Sequence, residues 1–592
     1  VNAARASSGF PSPGSRLTEA FLLGMAATAY LCFALPLDIY LGNRAEFSTS
    51  WSELLGPWLL GGGLAALALA LCAAALPARF HGRVMVLTAT LLLLSWIQGN
   101  LLVWNYGPLD GSLIDWTLGQ WRGWLDASLW IGAILAADAW RDRLVRVVPR
   151  TAILACLLQA ALAALTLAIH PPRPPPPVVT GDALRAMSRF SPERNVLHII
   201  ADGFQSDVFA DLLAEDGGAL RQQLDGFVFF EDHLGAFPYT QMSVPAILGG
   251  QVYDNSRARV DFLEAALGRD SILGAAQAAG FDVEIGMPGG GTTEVYRHAQ
   301  SGRMYLVPSE PTDAAWRSQR QQALLLADLT LFRVAPHFAK AAVYNDQQWL
   351  LQTLFGSTAM PGSAFLAHVA FLRDVAANLS DAAPRPSYKL MHLMLSHRPM
   401  VMSGDCTYEA RVLVPDRANV RNQARCGLRA VLALVSSMRK LGIYDSATIV
   451  IGGDHGTYLA PSALAAGSAA ARTAYEKGIP PSIIGEARPL LLVKVPNARG
   501  PLRISSAPSW IADIPATIAD AAGIPGPVAG ESALRLDPAL PRKRRFMDYG
   551  YQRDDWNANY LAPIQEYVVE GRSDDIAAWR QGRLLGAPKA HR

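Results

Sequence analysis

Four short stretches combine residue types that chemistry needs. Asn195-Val-Leu-His-Ile-Ile-Ala-Asp202-Gly203 is an apolar run ending in a carboxylate and a glycine. Thr448-Ile-Val-Ile-Gly-Gly-Asp454-His455-Gly456 repeats that design with an imidazole beside the acid. Carboxylate oxygen and imidazole nitrogen together suit Zn or Mn. Phe237-Pro-Tyr-Thr240-Gln-Met-Ser243-Val-Pro245 sets hydroxyls at a loop–helix junction. Free N–H groups there attract an anion, and a metal can turn a hydroxyl into a nucleophile. Met391-His392-Leu-Met-Leu-Ser-His397-Arg398-Pro399 places two histidines at the end of a strand-like run, 388–395. A histidine beside a reacting ester can bind phosphoryl oxygens or protonate a leaving oxygen. Taken singly, each stretch also has an ordinary reading: a helix-capping Asp or Thr, a chance His in a turn, or a structural His on an apolar strand.

These residues need a scaffold. From about Asn195 onward, short continuous apolar runs such as Val196–Ala201 and Thr448–Ile451 alternate with helical stretches such as Leu263–Ala279 and Leu428–Leu441. That alternation predicts a mainly parallel sheet covered by helices on both faces, with ligands at the carboxyl ends of its strands. The 592 residues exceed one compact core. Hydrophobic residues are 51% and charged residues 17%, which points to a membrane portion. A net charge of +2 gives no support for a nucleic-acid partner.

Five segments approach the length of a membrane span: Leu17–Leu37, Leu54–Leu76, Val84–Trp104, Trp124–Trp140 and Thr151–Ile169. The fourth is the weakest, being short and holding Asp126 and Asp138. Arg79 and Arg83 in one loop, and Arg141, Arg143, Arg146 and Arg150 in another, mark the cytoplasmic side. Five crossings from a cytoplasmic N-terminus place everything after Ile169 outside. The expected division is a membrane domain over 1–170, a stiff proline-rich linker over 171–194 and a catalytic domain over 195–592. If the last lies outside the cytoplasm, Cys406 and Cys426 are expected to form a disulfide, while Cys32, Cys72 and Cys156 sit in apolar runs. Residues 314–355 mix Trp316, Phe332, Phe338 and Trp349 with Arg317, Arg320, Arg333 and Lys340; they read as a helix packed on the domain or as an amphipathic lipid contact. Arg542-Lys543-Arg544-Arg545 reads as a solvated basic face or, near a membrane, as an attractor of anionic lipid.

The order of the four stretches resembles the sulfatase-like branch of the alkaline phosphatase superfamily. Arg488-Pro-Leu-Leu-Leu-Val-Lys494 and Ala512-Asp-Ile-Pro-Ala-Thr-Ile-Ala-Asp-Ala-Ala-Gly523 look like that fold's closing strand and helix. With five membrane helices, the chain is similar to lipid A phosphoethanolamine transferases and lipoteichoic acid synthases. The resemblance implies an α-helical membrane domain plus an α/β sulfatase/alkaline-phosphatase-like domain with a mainly parallel central sheet. It implies Thr240 as nucleophile, with Ser243 and Pro245 matching the transferases further. It makes Asp202, Thr240, Asp454 and His455 the residues of a divalent metal site, Zn or Mn, with Asp202 where those families usually have Glu. His392 and His397 match their paired histidines, for substrate binding or acid/base work. The expected activity is transfer of a phospholipid headgroup phosphate, phosphoethanolamine or phosphoglycerol, to an envelope glycan or lipid, in the bacterial inner membrane with the catalytic domain in the periplasm. The alternatives are a hydrolase of phosphate or sulfuric esters and a catalytically silent membrane regulator. Two departures stand out. The sequence lacks the Cys/Ser-x-Pro-x-Arg of true sulfatases, and Gly203 stands where they place a second acid.

Overall fold

A computed structural model describes residues 13–43, 47, 50–106, 109, 114, 116, 120–169, 183–289, 291–308, 315–345, 349–355, 363–526, 528–550 and 558–586. The proline-rich tract 171–177 lies outside these residues. The chain divides into two units: 1–174 with 313–359, and 175–312 with 360–592. The sequence predicts one continuous domain over 195–592; residues 313–359 instead group with the N-terminal helices.

The first unit is helical. Four of its helices are long and apolar enough to cross a membrane: Gly14–Gly42, Trp51–Ala73, Arg79–Asn100 and Val148–Ile169. The fourth expected segment does form a helix, Gln120–Ala139, but Arg122, Asp126 and Asp138 dilute its apolarity, and five spans are not established. Leu60, Leu64, Leu154 and Leu158 stay exposed on the outer faces of these helices. Water penalises so extended an apolar surface. Residues 315–344 add the helices Ala315–Val334 and His337–Tyr344. They are held by Asp126, whose Oδ2 accepts the backbone N–H of His337 at 2.8 Å, and by Arg333, which donates to Gly99 O at 2.8 Å and pairs with Asp38 at 3.0 Å.

The second unit is built on strands β1 (Asn195–Ala201), β2 (Phe227–Phe230), β3 (Asp282–Met287), β4 (Arg303–Leu306), β5 (Ser387–Leu393), β6 (Met400–Met402), β7 (Tyr408–Leu413), β8 (Ala447–Gly452), β9 (Leu491–Lys494), β10 (Arg503–Ser505), β11 (Lys543–Asp548), β12 (Ile564–Glu570) and β13 (Trp579–Leu585). Eight of these form one sheet in the order β10-β2-β9-β8-β1-β5-β3-β4. Its pairings are parallel except those of β9 with β2 and β8. Every residue of β1, β5 and β8 is buried, as the continuous apolar runs predict for strands covered on both faces. Leu197, Ile199 and Ala201 pack into one hydrophobic core with Met391 and Leu393, while Val196 and Ile200 join a second core with Leu390 and Val450. These cores fix the side-chain alternation, because a one-residue slip would turn every apolar side chain to the wrong face.

A three-stranded antiparallel sheet, β11-β12-β13, follows. In β11 the basic run splits by alternation. Lys543 is exposed, whereas Arg544 is fully buried, pairing with Asp232 at 2.9 Å and donating to the carbonyls of Ser509 and Gly571. The run is therefore not one solvated face. Cys406 and Cys426 form a disulfide that ties the β6–β7 hairpin to the helix Arg417–Leu441.

Candidate active site

β1 lies between β5 and β8, and its register pairs Ile200 with both His392 and Gly452. The chain therefore brings Asp202, His392 and the Gly453-Asp454-His455 turn to one place at the carboxyl ends of three adjacent strands. Each glycine there answers a steric demand. Gly203 holds φ +71°, a conformation that side chains resist. At Gly456 a Cβ would lie 2.1 Å from the carbonyl oxygen of Gly485, so this approach of backbone to backbone admits only glycine.

Thr240 comes from a different element, the first residue of the helix Thr240–Gly249. Ser243 faces inward from the same turn and donates to Phe237 O at 3.1 Å, fastening the loop that delivers Thr240. Thr240 Oγ1 donates to Asp454 Oδ2 at 2.7 Å and lies 3.5 Å from Asp202 Oδ2. His455 Nε2 is 3.5 Å from both Asp202 Oδ1 and Asp454 Oδ2. The other oxygen of Asp454, Oδ1, accepts the N–H of Gly203 at 3.1 Å.

The ring tautomers follow from the partners. His455 Nδ1 donates to Gly456 O at 2.7 Å, which leaves its Nε2 lone pair for a metal. His397 Nδ1 donates to Arg398 O at 2.7 Å, and the His397 and His455 rings meet edge to face at 6.3 Å. His392 is fully buried, with Nε2 3.3 Å from Asp202 Oδ2 and Nδ1 3.1 Å from the Tyr296 hydroxyl. Both of its nitrogens are engaged, so it orients Asp202 from behind. Tyr296, on the short helix Gly291–Tyr296, completes that contact, and nothing in the sequence marks it.

A divalent cation fits this donor set. Single donor atoms from Asp202, Asp454 and His455 lie within 4.8 Å of one another. Asp202 is 1% exposed, and its Oδ1 accepts no hydrogen bond among the described residues. An oxygen left in this state costs free energy unless a cation or donor meets it. Burial pushes the Asp202 carboxyl up, but the imidazoles of His397, His392 and His455 outweigh it and hold the group well below the ordinary carboxylate value. Burial pushes the His455 imidazole down, but Asp454 and Asp202 outweigh it and raise the group. The pocket thus holds anionic oxygens ready for positive charge, beside a hydroxyl already hydrogen-bonded to a carboxylate.

No family model matches the chain, and no curated protein matches it. Solved structures similar to it include a phosphonate monoester hydrolase from Silicibacter pomeroyi, 16% identical over 64% of this chain and 87% of that one, TM-score 0.39. A second phosphonate monoester hydrolase, from Agrobacterium radiobacter, is 13% identical over 65% and 88%, TM-score 0.37. The lipoteichoic acid synthase LtaP from Listeria monocytogenes is 9% identical over 67% and 88%, TM-score 0.36. At these identities and TM-scores they carry no weight for the chemistry, which rests on the geometry above.

Proposed function

We propose that this chain is a metal-dependent membrane enzyme that attacks phosphate esters through Thr240, transferring a phospholipid headgroup phosphate to an envelope glycan or lipid. The observation that carries this reading is the 2.7 Å hydrogen bond from Thr240 Oγ1 to Asp454 Oδ2, inside a cluster that can hold a cation. Asp202, Asp454, His455 and the Thr240 oxygen would hold a divalent ion, Zn or Mn by their mixed oxygen and nitrogen donors, which would lower the hydroxyl pKa and offset charge on the phosphoryl oxygens. Asp454 Oδ2 accepts the Thr240 proton as the Oγ1–P bond forms and the bond from phosphorus to the diacylglycerol oxygen breaks. That oxygen takes a proton from Nε2 of His397 in its doubly protonated form, whose Nδ1–H is held by Arg398 O. The reverse sequence passes the group on: the acceptor hydroxyl gives its proton to His397 and attacks phosphorus, and the Thr240 oxygen recovers its proton from Asp454.

Two features support placing the site outside the cytoplasm. The Cys406–Cys426 disulfide suits an oxidising compartment. With the basic loops inside, an outward catalytic unit needs an odd number of crossings, and the helix Gln120–Ala139 supplies the fifth. Its acids have partners suited to that role: Asp138 forms a two-pronged pair with Arg83 at 2.6 and 3.0 Å, and Asp126 accepts from Gln98, Trp104 and the His337 amide. Intramembrane carboxylates need such pairing.

The test is mass spectrometry of the full chain in detergent with Mn or Zn and labelled membrane phospholipids, for wild type and Thr240→Ala. A headgroup-phosphate adduct on Thr240, absent in the variant, is expected. Label retained in an acceptor marks transfer, and label released to water marks hydrolysis. No adduct and no lipid turnover in the wild type overturns the reading.

A further inference from the structure

His397, the proton donor of the proposed reaction, sits on a connection that no strand holds. β5 ends at Leu393 and β6 begins at Met400, so the residues between them take part in no sheet ladder. Buried backbone groups there must still find partners. Two fully buried side chains supply them. His368, on the helix Ser363–Ala377, accepts the N–H of Met394 at its Nδ1, 2.8 Å away. Gln423, on the helix Arg417–Leu441, reaches further along the connection. Its Nε2 donates to His397 O at 2.7 Å and to Pro399 O at 3.0 Å, and its Oε1 accepts the N–H of Val401 at 2.8 Å.

One amide therefore fastens the His397-Arg398-Pro399 turn at three points. The group is matched to the task, because two of the partners are carbonyl oxygens that need a donor and the third is an N–H that needs an acceptor. The helix is shaped to bring the amide this close. Gly427 lies one turn beyond Gln423, and a Cβ there would lie 2.3 Å from Leu395 O. Any larger residue would push the helix off the connection. Cys426, in the same turn, ties the helix to the β6–β7 hairpin through Cys406. The turn 423–427 thus grips the chain before His397, at His397 and after it.

This grip bears on the imidazole. His397 Nδ1 is bonded to Arg398 O within the same connection, so the position of that backbone sets where Nε2 points. His397 Cα also lies against Gly203, the residue after Asp202; a Cβ on Gly203 would be 3.4 Å away. A small shift of the connection would therefore move the proton donor relative to the metal-site residues, and such misplacement is costly to a proton transfer. We infer that Gln423, seated by Gly427, is a positioning residue that holds the His397 imidazole where it can protonate the leaving oxygen, without itself touching substrate. The inference rests on the phosphoester reading of the Thr240 site and on His397 as its acid.

The experiment separates positioning of the acid from general support of the fold. The full chain in detergent with Mn is given two probes: mixed micelles of phosphatidylethanolamine and phosphatidylglycerol, whose leaving diacylglycerol oxygen needs a proton, and bis(4-nitrophenyl) phosphate, whose leaving phenolate does not. Rates are expressed per bound Mn, and the thermal midpoint confirms that each variant is folded. Gln423→Met keeps the length of the side chain and removes its hydrogen bonds. It is expected to lower kcat on the phospholipids by about 30-fold, with KM within about twofold, and to lower turnover of the nitrophenyl ester by less than about threefold. Gly427→Ala should show the same selectivity at about fivefold. In a His397→Ala protein, adding Gln423→Met should lower phospholipid turnover by less than about twofold further, since the group it positions is gone. A loss equal on both probes, or one that multiplies with that of His397→Ala, overturns the inference and leaves the Thr240 chemistry standing. Should the wild type turn over only the phospholipids, the double variant alone decides. If His397→Ala itself loses equally on both probes, His397 is not the acid and the inference falls while the Thr240 adduct stands. If the wild type turns over no phospholipid and Thr240 gains no adduct, the phosphoester reading falls and the inference falls with it.

Discussion

Each unit of this protein buries a carboxylate completely, and the two are satisfied in opposite ways. In the helical unit, Asp126 accepts hydrogen bonds from Gln98 Nε2 at 3.1 Å, Trp104 Nε1 at 3.3 Å and the His337 amide at 2.8 Å. All three donors are neutral N–H groups, and the His337 amide ties the segment after Val334 to the helix Gln120–Ala139. In the α/β unit, Asp202 keeps one oxygen without a hydrogen bond and faces the imidazoles of His392, His397 and His455. A carboxylate fully met by neutral donors is finished as structure. One met by imidazoles and left with a spare oxygen is prepared for a cation. Burial alone does not separate the two; the identity and completeness of the partners does.

The sharpest way to break this comparison is chemical. Thr240→Ala is expected to lower lipid turnover by about a thousandfold or more, because it removes the attacking atom. Asp126→Asn should leave turnover per folded, metal-loaded molecule within about threefold of wild type if Asp126 is structural only. Steady-state assays normalised to metal content read both. A large loss of turnover in the Asp126 variant would erase the distinction.

Stability should invert the ranking. Asp126→Ala strands three donors and is expected to cost about 2–4 kcal/mol, read as a lower midpoint in chemical denaturation in detergent. In metal-free protein, Asp202→Asn keeps the side-chain volume but removes a charge that the neighbouring imidazoles favour, so the midpoint should fall, by less than in Asp126→Ala. Its loss should appear in Mn or Zn affinity, by about 100-fold. A metal-free Asp202→Asn protein as destabilised as Asp126→Ala would show that both carboxylates are clamps.

A third, similar-sized effect separates the units by their sulfur chemistry. The free thiols Cys32, Cys72 and Cys156 lie in the helical unit, and the Cys406–Cys426 disulfide lies in the other. Closing a loop of 20 residues stabilises by about 3 kcal/mol. Reductant, or Cys406→Ser with Cys426→Ser, should therefore shift the unfolding of the α/β unit. An unchanged transition would mean that the β6–β7 hairpin is held by packing alone.

Much of the α/β unit was legible because a buried parallel strand writes itself as an unbroken apolar run, and a strand that ends at a site ends in an acid. Asp202 and Asp454 stood out for that reason, and Thr240 stood out at a loop–helix boundary. What resisted reading was pairing across long separations. His392 sits behind Asp202 through the β1–β5 register, which no local pattern encodes. Arg544 lies in a basic run, but its partner Asp232 is 312 residues away and only strand alternation decides which arginine turns inward. The segment 313–359 shows amphipathicity but not what it binds, since His337 meets Asp126 across 211 residues. Gln423 gives no signal at all: it is one amide in the unremarkable run Asn422-Gln423-Ala-Arg-Cys426. The helix Gln120–Ala139 was weak as a span for the same charges that its neighbours satisfy.

The smallest effect concerns pH and sets the α/β core against its own site. His198, His233 and His368 are fully buried, and burial lowers each to about 3. Each therefore stays neutral in the folded protein while its unfolded counterpart gains a proton near pH 6.5. Between pH 6.5 and about 3 the unfolded state binds more protons, so stability falls as pH falls through this window and is unaffected above it. One such histidine costs about 1.4 kcal/mol for each pH unit below 6.5. Its replacement should flatten the slope by one proton. His198→Gln is the cleanest test, because His198 contacts the Tyr388 hydroxyl at 3.0 Å and is not a member of the candidate metal cluster. Denaturation midpoints of metal-free protein at pH 7, 6 and 5 should converge on those of wild type as pH falls, after an initial deficit from the lost contact. A parallel, non-converging pair of curves would mean that His198 takes up its proton in the fold, and that the core beneath the site is less dry than its burial implies.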